Sequence, residues 1–430
     1  MTLELHSLGH ATWLAVASDT ALLFDPVFYD PFEDGAVQSC PQRAVDVSAL
    51  PKLSAIVLSH RHPDHFDPGS LHRLSRDVPV LIPPDEALRA LISGMGFKAV
   101  KCVGVYQSQV IGSITLVPTP STYDGCVEFG FYLICDGATV WNQVDTAVSS
   151  EDAVYIVSKF GSPKVHLASY ACQNFSFFDR RTTDFPLETY ARNLGTVRSL
   201  NAQLIIPASA GFAFCAPHDW LNHFLFPVSE DRFIRDAESL LGPGRLAVVN
   251  PGDVVTVSRW QDPKVFRRRS SVSRMLEHDR ARLRFDSAAQ VPPLVDPNSA
   301  CSSLESLAEF VALVFQRILA LHVQSDEELL ELARANTRYS LSFVLPNGDS
   351  LDRTFEFKDT GVQLSPAASE FEMRCCMATS VALRYAEGRI SEFLLRAYRR
   401  QFSNVVLIDA EADSFSCRTL AFVDLFKKVL

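Results

Sequence analysis

Four side chains able to bind a metal fall within six residues of this sequence: His60, His62, Asp64 and His65, in the run Ser59-His60-Arg61-His62-Pro63-Asp64-His65. Imidazole and carboxylate are donors for zinc, iron and manganese. In an extended segment alternate side chains point to the same side, so one cation can take both His60 and His62. Asp64 and His65 then fall on the following turn and can face a second cation. Asp64 is also the candidate catalytic carboxylate.

A cluster of this kind needs a rigid element behind it. Residues 54–58 are apolar and stop at the cluster, as a buried strand does when it delivers ligands from its C-terminal end. Earlier strands are expected over 3–8, 12–17 and 20–24, the last ending in Asp25-Pro26. A helix is expected over 85–95, and strands over 110–117 and 130–141. An amphipathic helix follows over 187–200, then strands over 204–206 and 248–257. Residues 264–284 carry eight Lys and Arg against Glu277 and Asp279, which reads as a solvated linker helix. Pro292, Pro293 and Pro297 follow, so the boundaries are set at 1–262, a linker 263–303, and a second domain 304–430. That second domain shows a helical pattern over 304–322, a hairpin of 339–345 and 352–357 around Pro346-Asn347-Gly348, and helical stretches over 390–398 and 419–430.

Composition narrows the function. The chain has 430 residues, 47% hydrophobic and 21% charged, enough for a sizeable core. A net charge of -10 argues against non-specific binding of nucleic acid or anionic membrane. No apolar run approaches the roughly 20 residues that cross a bilayer. The N-terminus lacks the basic and apolar regions of a signal peptide, and ten scattered cysteines form no framework. A cytoplasmic protein with reduced thiols is expected.

The cluster, with Leu8-Gly9-His10-Ala11-Thr12 and Leu23-Phe24-Asp25-Pro26, resembles the metallo-β-lactamase superfamily over roughly residues 1–260. The resemblance implies an α/β fold, an αββα sandwich holding one or two metal ions between two sheets, followed here by a smaller α+β domain. It places Asp145, in Asn142-Gln143-Val144-Asp145-Thr146, at the bridging carboxylate. The superfamily usually adds a histidine before Asp145 and another after it, and neither is evident. The segments 58–74, 142–146 and Pro207-Ala208-Ser209-Ala210-Gly211-Phe212 are more similar to the catalytic domain of the CMP-N-acetylneuraminate hydroxylases, iron-dependent monooxygenases. Counting back from Asp145 on that resemblance makes Asp124 the replacement for the missing histidine. It also marks Cys172, Gln173, Asn174 and Ser209 as candidates to line the substrate site. His10 and Asp25 are candidates to orient the ligands, and His218 or His223 to complete the site.

These hydroxylases carry a Rieske iron-sulfur domain, whose ligands include Cys-x-His pairs. The sequence has no such pair, so an oxygenase would take electrons from a separate electron-transfer protein or from the substrate. The expectation is an oxygenase or hydroxylase with one or two iron ions, acting on a small-molecule substrate. A zinc or manganese hydrolase of an ester, amide or phosphodiester is the alternative, and a binding protein without catalysis a third reading. The second domain vaguely resembles sterol-carrier modules and is expected to support a homodimer or wall a pocket.

Overall fold

The structure is a computed structural model that describes residues 1–123, 125–175, 177–178, 184–208, 210–365, 371–403, 406–409, 416–419 and 423–430. Asp124 and Ser209, both candidate site residues, lie outside the described residues. The chain divides into two units, Met1–Asn174 with Phe185–Ser287, and Phe175–Asp184 with Ala288–Leu430.

The strands of the first unit are, in chain order, β1 (Thr2–Gly9), β2 (Thr12–Ala17), β3 (Thr20–Phe24), β4 (Val37–Ser39), β5 (Gln42–Val45), β6 (Ala55–Val57), β7 (Val80–Ile82), β8 (Val100–Cys102), β9 (Gln109–Ile111), β10 (Ile114–Thr119), β11 (Gly130–Cys135), β12 (Ala138–Asn142), β13 (Val165–Ser169), β14 (Leu204–Ala208), β15 (Phe212–Phe214), β16 (Val254–Ser258), β17 (Lys264–Phe266) and β18 (Ser273–Glu277). One sheet runs β17-β16-β1-β2-β3-β6-β7-β8 and a second β14-β13-β12-β11-β10-β9. The pairs β3–β6, β6–β7 and β7–β8 are parallel, as are β12–β13 and β13–β14.

Period-two alternation sorts the side chains into layers. Leu22 and Phe24 of β3 face inward and pack with Phe131 and Leu133 of β11, while Ala21 and Leu23 face outward. The outward side of the first sheet meets Leu88 and Ile92 of the helix Glu86–Gly94. The outward side of the second, through Tyr132 and Trp141, meets Ala153 and Ile156 of the helix Ser150–Phe160. Helices therefore cover both sheets, giving the αββα sandwich expected from sequence. The central strands are buried on both faces, which explains why β3 and β6 read as unbroken apolar runs.

Residues 264–284 differ from the linker helix expected. Lys264–Phe266 adds to the edge of the first sheet beside β16, and Ser273–Glu277 pairs with β5. The basic residues are drawn to fixed partners: Arg267 to Asp253 at 2.6 Å, Arg280 to the buried Glu230 at 3.1 Å. Clustered charge reads as a solvated helix in one dimension, but β16 and β5 each offered a free edge.

The second unit is α+β. Its helix Leu304–Leu319 buries Leu307, Val311, Val314 and Ile318, the spacing of one helical face. Its sheet places Arg338–Val344 between Ser350–Lys358, antiparallel, and Met373–Ala378, parallel. The expected hairpin is present. Of the helical stretch expected over 419–430, Thr419 ends the strand Ser416–Thr419, 420–422 lie outside the described residues, and the helix among the described ones is Leu425–Lys428. No helix among the described residues is long and apolar enough to cross a membrane.

Candidate metal centre

β6 lies in the middle of the first sheet and leads through Leu58 and Ser59 into His60. β12 lies in the second sheet and leads through Gln143 and Val144 into Asp145. Val144 has φ +54°, a backbone state costly for a β-branched residue and typical of segments that aim a functional side chain. Phe129 N–H donates to Ser59 O at 3.1 Å, which ties the loop before β11 to the residue that precedes His60.

Beneath the cluster sits Asp25, fully buried. Its Oδ1 accepts from Ser59 N–H and its Oδ2 from Ser59 Oγ, both at 2.7 Å. The same Oδ2 lies 3.0 Å from His65 Nδ1, and Ser59 Oγ lies 2.8 Å from His60 Nδ1. Asp25 thus fixes the ring orientation of one histidine directly and of another through Ser59, the role of outer partners in metal sites.

The other ring edges face the site. His65 Nε2 is 3.1 Å from Asp145 Oδ2 and 3.5 Å from Asp64 Oδ2. His10 Nε2 is 3.2 Å from Asp64 Oδ2. His60 and His62 rings meet edge to face at 4.5 Å. His60, His65 and Asp145 each offer a ligand atom within 4.8 Å of the others, and so do His10, Asp64 and His65.

Burial, then the charge of His65, hold the His60 pKa well below the usual imidazole range; burial also lowers that of His62. Both rings are therefore neutral and able to ligate. Burial works against the charged form of His65, but Asp64 and Asp145 overcome it and hold its pKa well above the usual value. Burial likewise opposes ionisation of Asp64 and Asp145, and His65 wins there too, keeping both well below the carboxylate range. The site attracts positive charge, as a proton or as a cation.

Do these residues fit a metal ion? His60 Nε2 is buried and has no hydrogen-bond partner among the described residues. An orphaned imidazole nitrogen is costly unless something accepts its lone pair or proton, and a cation held with His65 and Asp145 does so. The donor set fits.

The sequence expectations fall out unevenly. His60, His62, Asp64, His65 and Asp145 come together. His10 is drawn closer than an outer orienting role implies, since it groups with Asp64 and His65. Gly211 explains its placement: a Cβ there would lie 2.9 Å from His10 Cα, so only glycine lets the two backbones approach. Cys172 is buried and takes a hydrogen bond from Asn193 Nδ2 at 3.4 Å, and Asn174 N–H donates to Leu225 O at 2.9 Å; Gln173 lies half-buried between them. None of the three is in the metal-competent groups of the described residues, nor is the buried His218. His223 instead sits 3.0 Å from Arg284 O. His166 stacks on Trp141 at 4.8 Å and reaches Gln143 Oε1 at 2.9 Å, a packed strand residue.

Two residues were not foreseen. Cys126 Sγ lies 3.7 Å from His62 Nε2. Glu128 is buried and accepts from Ser121 Oγ, and burial pushes its carboxyl up to about 7. Both line a cleft of about 680 Å³ with Arg61, Asp85, Tyr123 and Phe129. The turn-rich composition of 118–128 was the available signal, and it did not single out either side chain.

No family model matches the chain. A protein of Mycobacterium tuberculosis, by name a Rieske 2Fe-2S iron-sulfur protein, is 23% identical over 241 residues, 50% of this chain and 45% of the relative. The chain thus spans about half the length of the curated relatives it matches. Among solved structures, a metallo hydrolase of Ignicoccus hospitalis is 19% identical over 60% of this chain and 98% of its own, with a TM-score of 0.42. A diiron β-hydroxylase of Streptomyces venezuelae is 15% identical over 62% of this chain and 54% of its own, with a TM-score of 0.43. The solved structures similar to this chain also include a second metallo-hydrolase and a metallo-β-lactamase-fold protein of Bacillus subtilis.

Proposed function

We propose that the chain is a metal-dependent oxygenase acting on a small metabolite, with iron held by His60, His62, His65 and Asp145 and with Asp64 and His10 beside them. The observation that carries this reading is the buried His60 Nε2, without a partner among the described residues, within a ring of imidazoles and carboxylates. Imidazoles mixed with carboxylates suit non-haem iron that keeps positions open. When bound, iron would supply oxygen activation. The remaining work belongs to the chain's own side chains. Asp25 and Ser59 hold the His65 and His60 rings so that their Nε2 edges face the site. The cleft beside His62 is large enough for a small molecule, and Arg61 at its edge, 3.6 Å from Asp85, offers a cation to an anionic substrate group.

The relatives named for a Rieske 2Fe-2S centre support an oxygenase, because such a centre is a one-electron carrier. A one-electron carrier such as a separate electron-transfer protein would deliver the electrons. One observation favours a second reading, a zinc or manganese hydrolase: the two metal-competent groups share His65, and adjacent cations are the usual apparatus for activating water.

Metal analysis of protein purified without added metal, paired with an oxygen-uptake assay, separates them. Bound iron with reductant-dependent uptake, lost in His60→Ala, is the expected result. Two equivalents of zinc and no oxygen chemistry would overturn the oxygenase in favour of the hydrolase.

A further inference from the structure

We propose that His10, Asp64 and His65 hold a second iron(II) ion beside the first, with His10 Nε2 as a direct ligand. The inference rests on the metal-centre reading above. It makes His10 a donor, where the sequence had pointed only to an orienting role.

The three side chains each offer a ligand atom within 4.8 Å of the other two. A second, independent observation comes from His10 itself. Its side chain is 1% exposed and its Nε2 lies 3.2 Å from Asp64 Oδ2. Neither ring nitrogen has an aligned hydrogen-bond partner among the described residues. The rings of Phe32 and Phe212 stand 5.8 and 5.6 Å away and offer no acceptor. A buried imidazole in apolar company is costly unless its polar atoms are engaged, and a cation beside Asp64 would engage Nε2. His65 Nδ1 is already held by Asp25, which leaves its Nε2, 3.5 Å from Asp64 Oδ2, for the ion. That nitrogen has one lone pair. With both ions bound, His65 therefore serves the second, and the first keeps His60, His62 and Asp145. Two imidazoles with one carboxylate form the facial set typical of non-haem iron(II), with the remaining positions open. The proton that His65 Nε2 gives up on binding passes to solvent.

The test counts iron(II) bound by the full-length chain, stripped of metal and then dialysed to equilibrium against iron(II) without oxygen. Wild type should retain two equivalents. His10→Phe keeps a ring beside Phe32 and Phe212 but removes both nitrogens, and it should retain one; Asp64→Asn should do the same. Loss of the fold would release both ions, so one retained equivalent separates a lost ligand from a structural defect. Should His10→Phe unfold, seen as loss of near-ultraviolet circular dichroism, His10→Ala takes its place with the same expected count. Two equivalents in the folded His10 variant would overturn His10 as a ligand. A single equivalent in wild type would overturn the second ion while leaving the metal centre standing, and no bound iron would overturn both.

Discussion

Asp25 Oδ2 lies 3.0 Å from His65 Nδ1, and both side chains are fully buried at the foot of the site. With a cation at Nε2, this pairing would keep the remaining proton of His65 on Nδ1 and leave Nε2 directed at the site. Outer partners of this kind are typically worth about 10–100-fold in metal affinity. Asp25→Asn should therefore weaken metal binding by roughly that range, measured by competition with a chromophoric chelator. Affinity equal to wild type would show that Asp25 serves only to cap Ser59.

A ligand that binds only the native state raises its stability by about 2.7 kcal/mol at a concentration 100 times Kd. Adding iron(II) or zinc to metal-stripped protein should raise Tm, and His60→Ala or Asp145→Ala should lose most of that rise. Differential scanning fluorimetry across a metal titration reads this directly. An unchanged rise in both variants would place the ion elsewhere.

Gly211 packs against the backbone of His10, where a Cβ would approach to 2.9 Å. Gly211→Ala should cost about 1–3 kcal/mol through overpacking, and should also displace His10 from Asp64. Chemical denaturation gives the first effect. The second would show as weaker metal binding relative to Ala210→Gly, which changes the neighbouring residue without adding a side chain.

His166 provides a pH signature away from the cluster. Burial lowers its pKa to about 3 from an ordinary 6.5. Above the ordinary value the ring is neutral folded or unfolded, so the linkage vanishes. As pH falls below it, only the unfolded chain takes up the proton, and stability is lost progressively down to the folded value. His166→Gln, which can still donate to Gln143, removes this component. Comparing urea midpoints between about pH 5 and pH 8, wild type should lose more stability than the variant on acidification. Parallel curves would rule out the linkage.

The strands were legible where burial imposed a period. Thr12–Ala17 and Thr20–Phe24 match the apolar segments read from sequence, and the helix Leu187–Leu200 matches to the residue. The short strands Val37–Ser39 and Gln42–Val45 were not legible, because three or four residues of mixed polarity carry no period and exist only through pairing with β15 and β18. The basic stretch failed for the same reason. Its charges said it was wet, but only β5 and β16 decided that it was extended.

The sequence by itself determined the four donors between His60 and His65 and the strand that delivers them, because ligand types at fixed spacing after a buried strand are local properties. Tertiary structure alone decided the rest of the site. It set Asp25 beneath His65, His10 beside Asp64, and Cys126 against His62. These partners lie far apart along the chain: His10 and Asp25 reach the cluster because β1, β3 and β6 share the first sheet, and Cys126 because the loop before β11 of the second sheet meets it. Which loop residue then faces the site depends on backbone turns at His10 and Val144 and on one hydrogen bond from Phe129 to Ser59, none of which has a signature in composition or periodicity.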